Sequence, residues 1–186
     1  MYRIYLGNEQ RQRFKQFFRR LEIPANTIIL REGEIAEQAY YIESGCLRSC
    51  VITEDKDITF EFFFENEIAS IIESFETCNP SSFTLESIEH CIIHTISRED
   101  FKTLIATLRE LEVPRKVDGY IFRALMHYQN LLLSRIKDSP KKRYLKLLKH
   151  YPKIWGRVPK YYIASYLGID TALLDEIHGQ IIKSSN

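Results

Sequence analysis

The chain has 186 residues, 45% of them apolar and 27% charged, and its 26 Lys and Arg against 25 Asp and Glu leave a formal charge of +1. That composition builds packed cores and excludes general disorder, while the balanced charge excludes a global polyanion-binding surface and leaves a local one open. Met1 to Arg20 is too charged for a secretory core and no apolar run reaches about 18 residues, so a cytoplasmic protein without a membrane partner is expected.

Phe14, Phe17, Phe18 and Leu21 share one helical stripe, which predicts an opening helix from Asn8 to Leu21, stopped by Pro24-Ala25-Asn26. From Thr27 to Ile96 the texture turns to short β-rich runs. They are Thr27–Leu30, Ala39–Glu43, Leu47–Ile52, Ile58–Phe64, Phe83–Ile88 and Cys91–Ile96, with a short helix predicted over Ser70 to Thr77. Many short strands without long helices between them predict a sandwich or barrel. Cys46, Cys50, Cys78 and Cys91 have no metal-ligand spacing: residues four apart on a strand lie about 13 Å apart, too far for one ion, so they read as buried thiols.

Ser97 followed by Glu99 and Asp100 reads as a helix cap with an acidic first turn. A long helix is predicted from Pro114 to about Lys137. It carries two apolar seams, one of Val117, Ile121, Ala124, Tyr128 and Leu131, the other of Phe122, Leu125, Leu132 and Ile136. Two seams predict two packing partners, the β-region and the same helix of a second subunit. Beyond Ser139-Pro140, a cap with a first-turn proline, the tail should hold three short helices. Lys141, Lys142, Arg143, Lys146, Lys149, Lys153, Arg157 and Lys160 crowd its first part, whereas Glu54, Asp55, Asp57, Glu61, Glu65, Glu67, Glu73 and Glu76 crowd the middle of the chain.

Three stretches in this order resemble the Crp/Fnr family of bacterial regulators, over nearly the whole chain. The first is Ile28 to Glu34 with Ala39 to Gly45, where Gly33 and Gly45 permit tight turns. The second is Ile96 to Phe101. The third and most specific is Val158 to Ile169, similar to the first helix and turn of a helix-turn-helix, with small Ala164 at the crossing and Gly168 in the turn. The resemblance implies an α+β protein: a double-stranded β-roll of the cyclic nucleotide-binding type, a long dimerisation helix and a small all-α helix-turn-helix domain. The corresponding boundaries are residues 1–110, 111–138 and 139–186.

In the family a cyclic nucleotide is held by a Gly-Glu-Leu run and, about ten residues on, an Arg-Ser or Arg-Thr pair. Here the run is Ala69 to Phe75, ending in Pro80-Ser81-Ser82; Ser70 and Ile71 replace Gly and Glu, and Ser81 replaces Arg. A phosphodiester without a cationic partner is poorly held, so no useful affinity for cyclic AMP is expected. The effector-pocket candidates are Ser70, Ile71, Glu73, Ser81, Ser82 and, from the long helix, Tyr128.

The reading helix, capped by Asp170 or Thr171, should bury Leu173, Leu174, Ile177 and Ile181 and expose Thr171, Ala172, Asp175, Glu176, His178 and Gly179. Relatives with this tail carry Ser-Arg-Ile-Arg where this chain has Asp175-Glu176-Ile177-His178. Losing both arginines removes the commonest specific base contact, while the basic flank can still touch phosphate. The DNA-contact candidates are Lys141, Lys142, Lys160, Tyr161, Thr171, Asp175, Glu176 and His178. His90, His94, His127, His150 and His178 are scattered, and no catalytic or metal-binding motif, P-loop or dinucleotide fingerprint is present, so neither enzyme nor cofactor is expected. The expected function is a dimeric, DNA-binding transcription regulator with an effector other than cyclic AMP or none. The alternative is a sensor or interaction module of the same fold without specific DNA binding.

Overall fold

A computed structural model describes residues 17–110 and 119–185. Two antiparallel four-stranded sheets face each other, ordered β1-β8-β3-β6 and β2-β7-β4-β5. The strands are β1 Arg19–Ile23, β2 Ile28–Leu30, β3 Gln38–Ser44, β4 Leu47–Ile52, β5 Asp57–Phe63, β6 Ile68–Ala69, β7 Thr84–Ser87 and β8 Cys91–Ser97. Period-two alternation drives the roll: Leu30, Ile42, Leu47, Phe63, Leu85 and Ile93 turn inward into one core. Gly45 turns β3 into β4 at φ 104, where a side chain would meet the Cys91 sulfur at 2.5 Å and backbone at 2.8 Å. Only glycine fits there.

The opening helix requires correction. Residues 1–16, with Phe14, lie outside the described residues, but Arg19–Ile23 is an edge strand paired with β8, Leu21 facing Ile93. Antiparallel pairing satisfies its backbone all along β8, and that tertiary ladder outweighs a helical stripe four residues deep. The two-residue β6 was not foreseen, being below the length at which alternation can be read. The short helix, α1, spans Ile72–Thr77 rather than starting at Ser70. Ser97 caps α2 Arg98–Glu110 as expected: its Oγ accepts from the Asp100 amide at 3.0 Å.

The long helix α3 is described over Gly119–Lys137. Pro114 and Val117 lie outside the described residues, as do the side chains of Ile121, Phe122 and Ala124. Of the two seams, Tyr128 and Leu131 are half-buried, and Leu125, Leu132 and Ile136 are 62%, 60% and 74% exposed. The tail forms four helical segments where three were expected: α4 Pro140–His150, α5 Ile154–Arg157, α6 Lys160–Leu167 and α7 Thr171–Ser185. The Ser139 side chain caps α4, and Asp170 caps α7 by accepting from the Leu173 amide at 2.7 Å. Gly168 ends α6 in the left-handed conformation, φ 66, and lets α7 turn away. The core of the tail, with Tyr144, Leu147, Ile154, Ile163, Leu167 and Leu174, is continuous with Phe62 and Phe64 on the outer face of the β2-β7-β4-β5 sheet. No helix of the described residues is long and apolar enough to cross a membrane.

Candidate functional site

Strand β5 slips by one residue against β4: Ser49 pairs with Glu61 but Cys50 pairs with Thr59, leaving Phe60 as the extra residue of a bulge. The bulge turns Phe60 toward Phe83, ring centroids 4.7 Å apart, and toward Tyr128 of α3 at 5.7 Å. Between them and the start of α1 lies a cavity of about 190 Å³. Four of the sequence-derived pocket residues, Ser70, Ile71, Glu73 and Tyr128, line it, together with Ser49, Phe60, Glu61, Phe63 and Phe83. The Tyr128 hydroxyl donates to Glu61 Oε2 at 3.4 Å, and His127 Nε2 stands 2.9 Å from Glu61 Oε1.

Two candidates do not reach this cavity. Ser81 is buried, but its hydroxyl donates to the Phe83 carbonyl at 2.6 Å and accepts from the Phe83 amide at 3.1 Å, so it shapes the loop before β7. Ser82 is exposed. Both were placed by matching loop positions, whereas the backbone turns them along the loop. The residues missed, Ser49, Phe60, Glu61, Phe63 and Phe83, come from strands remote in sequence. Alternation would have turned Ser49 and Phe63 to one face, but the bulge that adds Phe60 leaves no signal in composition.

A second cavity of about 310 Å³ opens on the other side of Glu61, between α3, α4 and α6, and His127, His150 and Arg143 reach it. The arginine is already engaged, donating to the Asp138 and Leu167 carbonyls at 2.8 Å each. Desolvation of the ring holds His150 below its ordinary 6.5, and the neighbouring His127 acts in the same direction.

The DNA-contact candidates divide. Tyr161 points out, 54% exposed, while Tyr162 is buried. Thr171 and Glu176 are exposed, and Glu176 accepts from Gln180 at 3.1 Å. Lys160 and Asp175 pair with each other at 2.6 Å, so the basic flank and the acidic helix neutralise one another there. Lys141 is exposed; Lys142 reaches Asp138 at 3.0 Å. Lys146, with Ser134 and Lys142 adding to it, holds the Asp138 carboxyl well below the usual carboxylate range. His178 is a correction: it is half-buried, stacked on Trp155 with centroids 3.5 Å apart, and shares a 2.7 Å hydrogen bond with the Tyr144 hydroxyl. The flat indole leaves it more contact on the α5 side than in solvent. Leu173, expected inside, is 36% exposed, because α7 buries Leu174 and Ile177 and turns Leu173 aside.

A set of polar and ring contacts joins the tail to the roll. Arg48 of β4 is 1% exposed; it binds both oxygens of Asp57 at 2.6 and 2.7 Å and Glu86 at 2.7 Å, beneath the Tyr162 ring. Ser165 of α6 accepts from the Thr59 amide at 2.9 Å and donates to the Asp57 carbonyl at 2.7 Å. Arg157 spans Glu65, at 2.6 and 2.9 Å, and Glu89. Tyr151 donates to the Phe62 carbonyl and to Glu67, whose carboxyl burial pushes upward. No local signal marks these arginines as ties in the fold, because each finds its acids more than eight residues away.

Three of the four cysteines sit in the interior. Cys46, Cys50 and Cys91 are buried, and burial pushes the Cys50 thiol up to about 12 and Cys91 up to about 11. Cys78, expected with them, is exposed at the left-handed end of α1. Among the described residues no group of His, Cys, Asp and Glu could hold a metal ion.

Residues 20–108 match the family model of the cyclic nucleotide-binding domain. Solved regulators share the fold over most of the chain. FixK2 from Bradyrhizobium japonicum superposes with a TM-score of 0.75 at 16% identity, over 90% of this chain and 86% of its own. CLP, a c-di-GMP-responsive global regulator of Xanthomonas campestris, gives 0.70 at 17%, over 96% and 93%. The catabolite activator protein of Thermus thermophilus gives 0.57 at 18%, over 97% and 85%. No curated protein matches the sequence.

Proposed function

We propose that this chain is a transcription regulator of the Crp/Fnr type, dimeric through residues 111–138, with a sensor domain over 1–110 and a DNA-binding helix-turn-helix over 139–186. The observation that carries the reading is the pair α6 and α7, joined by the left-handed Gly168 and held on a roll that encloses a cavity. A short helix, a glycine turn and a second helix with an exposed polar face is the arrangement that enters a major groove. The exposed Leu125, Leu132 and Ile136 supply an apolar seam of the kind two copies of α3 would bury. The effector, if the regulator uses one, is not cyclic AMP: Glu61 and Glu73 are the charged groups among the described lining residues of the roll cavity, and Ser81 occupies the sequence position where the resemblance expects a phosphate-binding arginine.

The Lys160–Asp175 ion pair favours a second reading, in which the same fold senses or docks without reading sequence. One experiment separates them: binding of the full chain to its own upstream DNA and to random duplex across a salt series. Tight, sequence-dependent binding supports the regulator. Equal, steeply salt-dependent binding to both duplexes reduces the tail to phosphate contacts, and absence of binding at low salt removes the DNA-binding reading.

A further inference from the structure

We infer that the roll cavity takes an uncharged, single-ring aromatic molecule whose edge carries both a hydrogen-bond donor and an acceptor. The inference rests on the reading above that this cavity is the effector site. Ser49 and Ser70, 1% and 4% exposed, both line the cavity, and neither hydroxyl has a hydrogen-bond partner. Native interiors rarely leave buried hydroxyls unpaired, and a pair of them on one cavity points to a missing polar group. Each hydroxyl donates and accepts, and a serine swings between staggered positions without moving its backbone, so together they suit an amide-like edge.

The walls supply the ring. Phe60, Phe63 and Phe83 present aromatic and apolar surface, and Phe60 already makes tilted contacts with Phe83 and Tyr128. The volume of about 190 Å³ compares with the roughly 150 Å³ that encloses one benzene, so a single ring with a few added atoms fits and a nucleotide does not. The charge excludes an acid, since the carboxylates Glu61 and Glu73 would repel it. Nor is a ligand cation called for: Glu61 already faces His127 Nε2 at 2.9 Å and accepts from Tyr128, and Glu73 is exposed to water.

Three molecules of one shape test this: benzamide, benzoate and benzylamine, titrated into the full chain and followed by amide shifts in two-dimensional NMR. Benzamide is expected to shift Ser49, Ser70 and Phe83 and to bind about tenfold or more tighter than the charged pair, because burying an ion unpaired is far costlier than burying an amide. The double variant Ser49→Ala with Ser70→Ala should unfold at no lower denaturant, and should bind benzamide about tenfold more weakly. Charged probes binding as tightly as benzamide, no shifts at millimolar benzamide, or unchanged affinity in the double variant would each overturn the inference. DNA affinity with and without benzamide keeps the two readings apart. Benzamide binding that leaves DNA affinity unchanged preserves the ligand class and removes the effector role; DNA binding without benzamide binding overturns the ligand class and leaves the DNA-binding reading standing.

Discussion

The Arg48 guanidinium lies 3.5 Å from the centroid of the Tyr162 ring, which joins strand β4 of the roll to helix α6 of the tail. The cation belongs to β4 and the ring to α6, and Asp57, Thr59 and Glu86 surround the other edges of the guanidinium. Strand β5 carries Asp57 and Thr59 at this contact and Phe60, Glu61 and Phe63 at the roll cavity. Strand β5 therefore touches both the cavity and the tail.

Removing the guanidinium leaves Asp57 and Glu86 without their cation under a buried ring. Arg48→Met is expected to cost about 3–5 kcal/mol in urea unfolding, the range for stranding one half of a buried pair. Combined with Tyr162→Leu in a double-mutant cycle, the two changes should couple by about 1–2 kcal/mol. Additive costs would mean that the ring merely covers the arginine.

Acid should loosen the tail. Burial holds His150 and His178 below the ordinary 6.5, so between the folded and unfolded values the unfolded chain binds more protons. Stability is complete above about pH 6.5 and falls as the pH drops through that value toward the folded ones. The urea midpoint should drop on going from about pH 7.5 to about pH 5.5, and His178→Phe should shrink the drop. Trp155 is the one tryptophan and stacks on His178, so its fluorescence reports the same titration.

The exposed seam of α3 predicts the assembly. Light scattering at micromolar concentration should give about twice the 22.0 kDa chain mass. Leu132→Glu with Ile136→Glu should return the single-chain mass while leaving the far-ultraviolet circular dichroism unchanged, since both side chains face solvent in the monomer. A monomeric parent chain would remove the dimer.

Freeing Lys160 should strengthen contact with phosphate. Asp175→Asn breaks the 2.6 Å pair at a site where both side chains are about half exposed. Its effect on stability should stay below about 1 kcal/mol. Affinity for random duplex should rise, with the slope of log affinity against log salt steepening by about one. An unchanged slope would place Lys160 away from the DNA.

Much of the architecture is legible along the chain because it depends on local rules. Leu47–Ile52 and Cys91–Ile96 are short β-rich runs and form β4 and most of β8; Ser97 and Ser139 cap the helices that follow; Gly45 and Gly168 stand where φ is positive. Arg19–Ile23 departs from this pattern, because an edge strand borrows its hydrogen bonds from β8, far along the chain, and its own side chains say little. The pocket behaves likewise. Ser70, Ile71 and Glu73 are neighbours in one short run and could be read together, whereas Ser49 and Phe83 join them only through sheet pairing and Phe60 only through a bulge.

The sequence by itself determined the strand-rich middle, the long helix before Ser139, the glycine turn of the tail and the separation of acidic from basic segments. The meaning of that separation was decided by tertiary structure. Arg157 of the basic run spans Glu65 of the acidic one and Glu89 beyond it, and Lys160 turns to Asp175. Charge composition states how many cations a segment holds, but which of them reach solvent depends on the acids that folding brings within hydrogen-bond distance, and those lie many residues away.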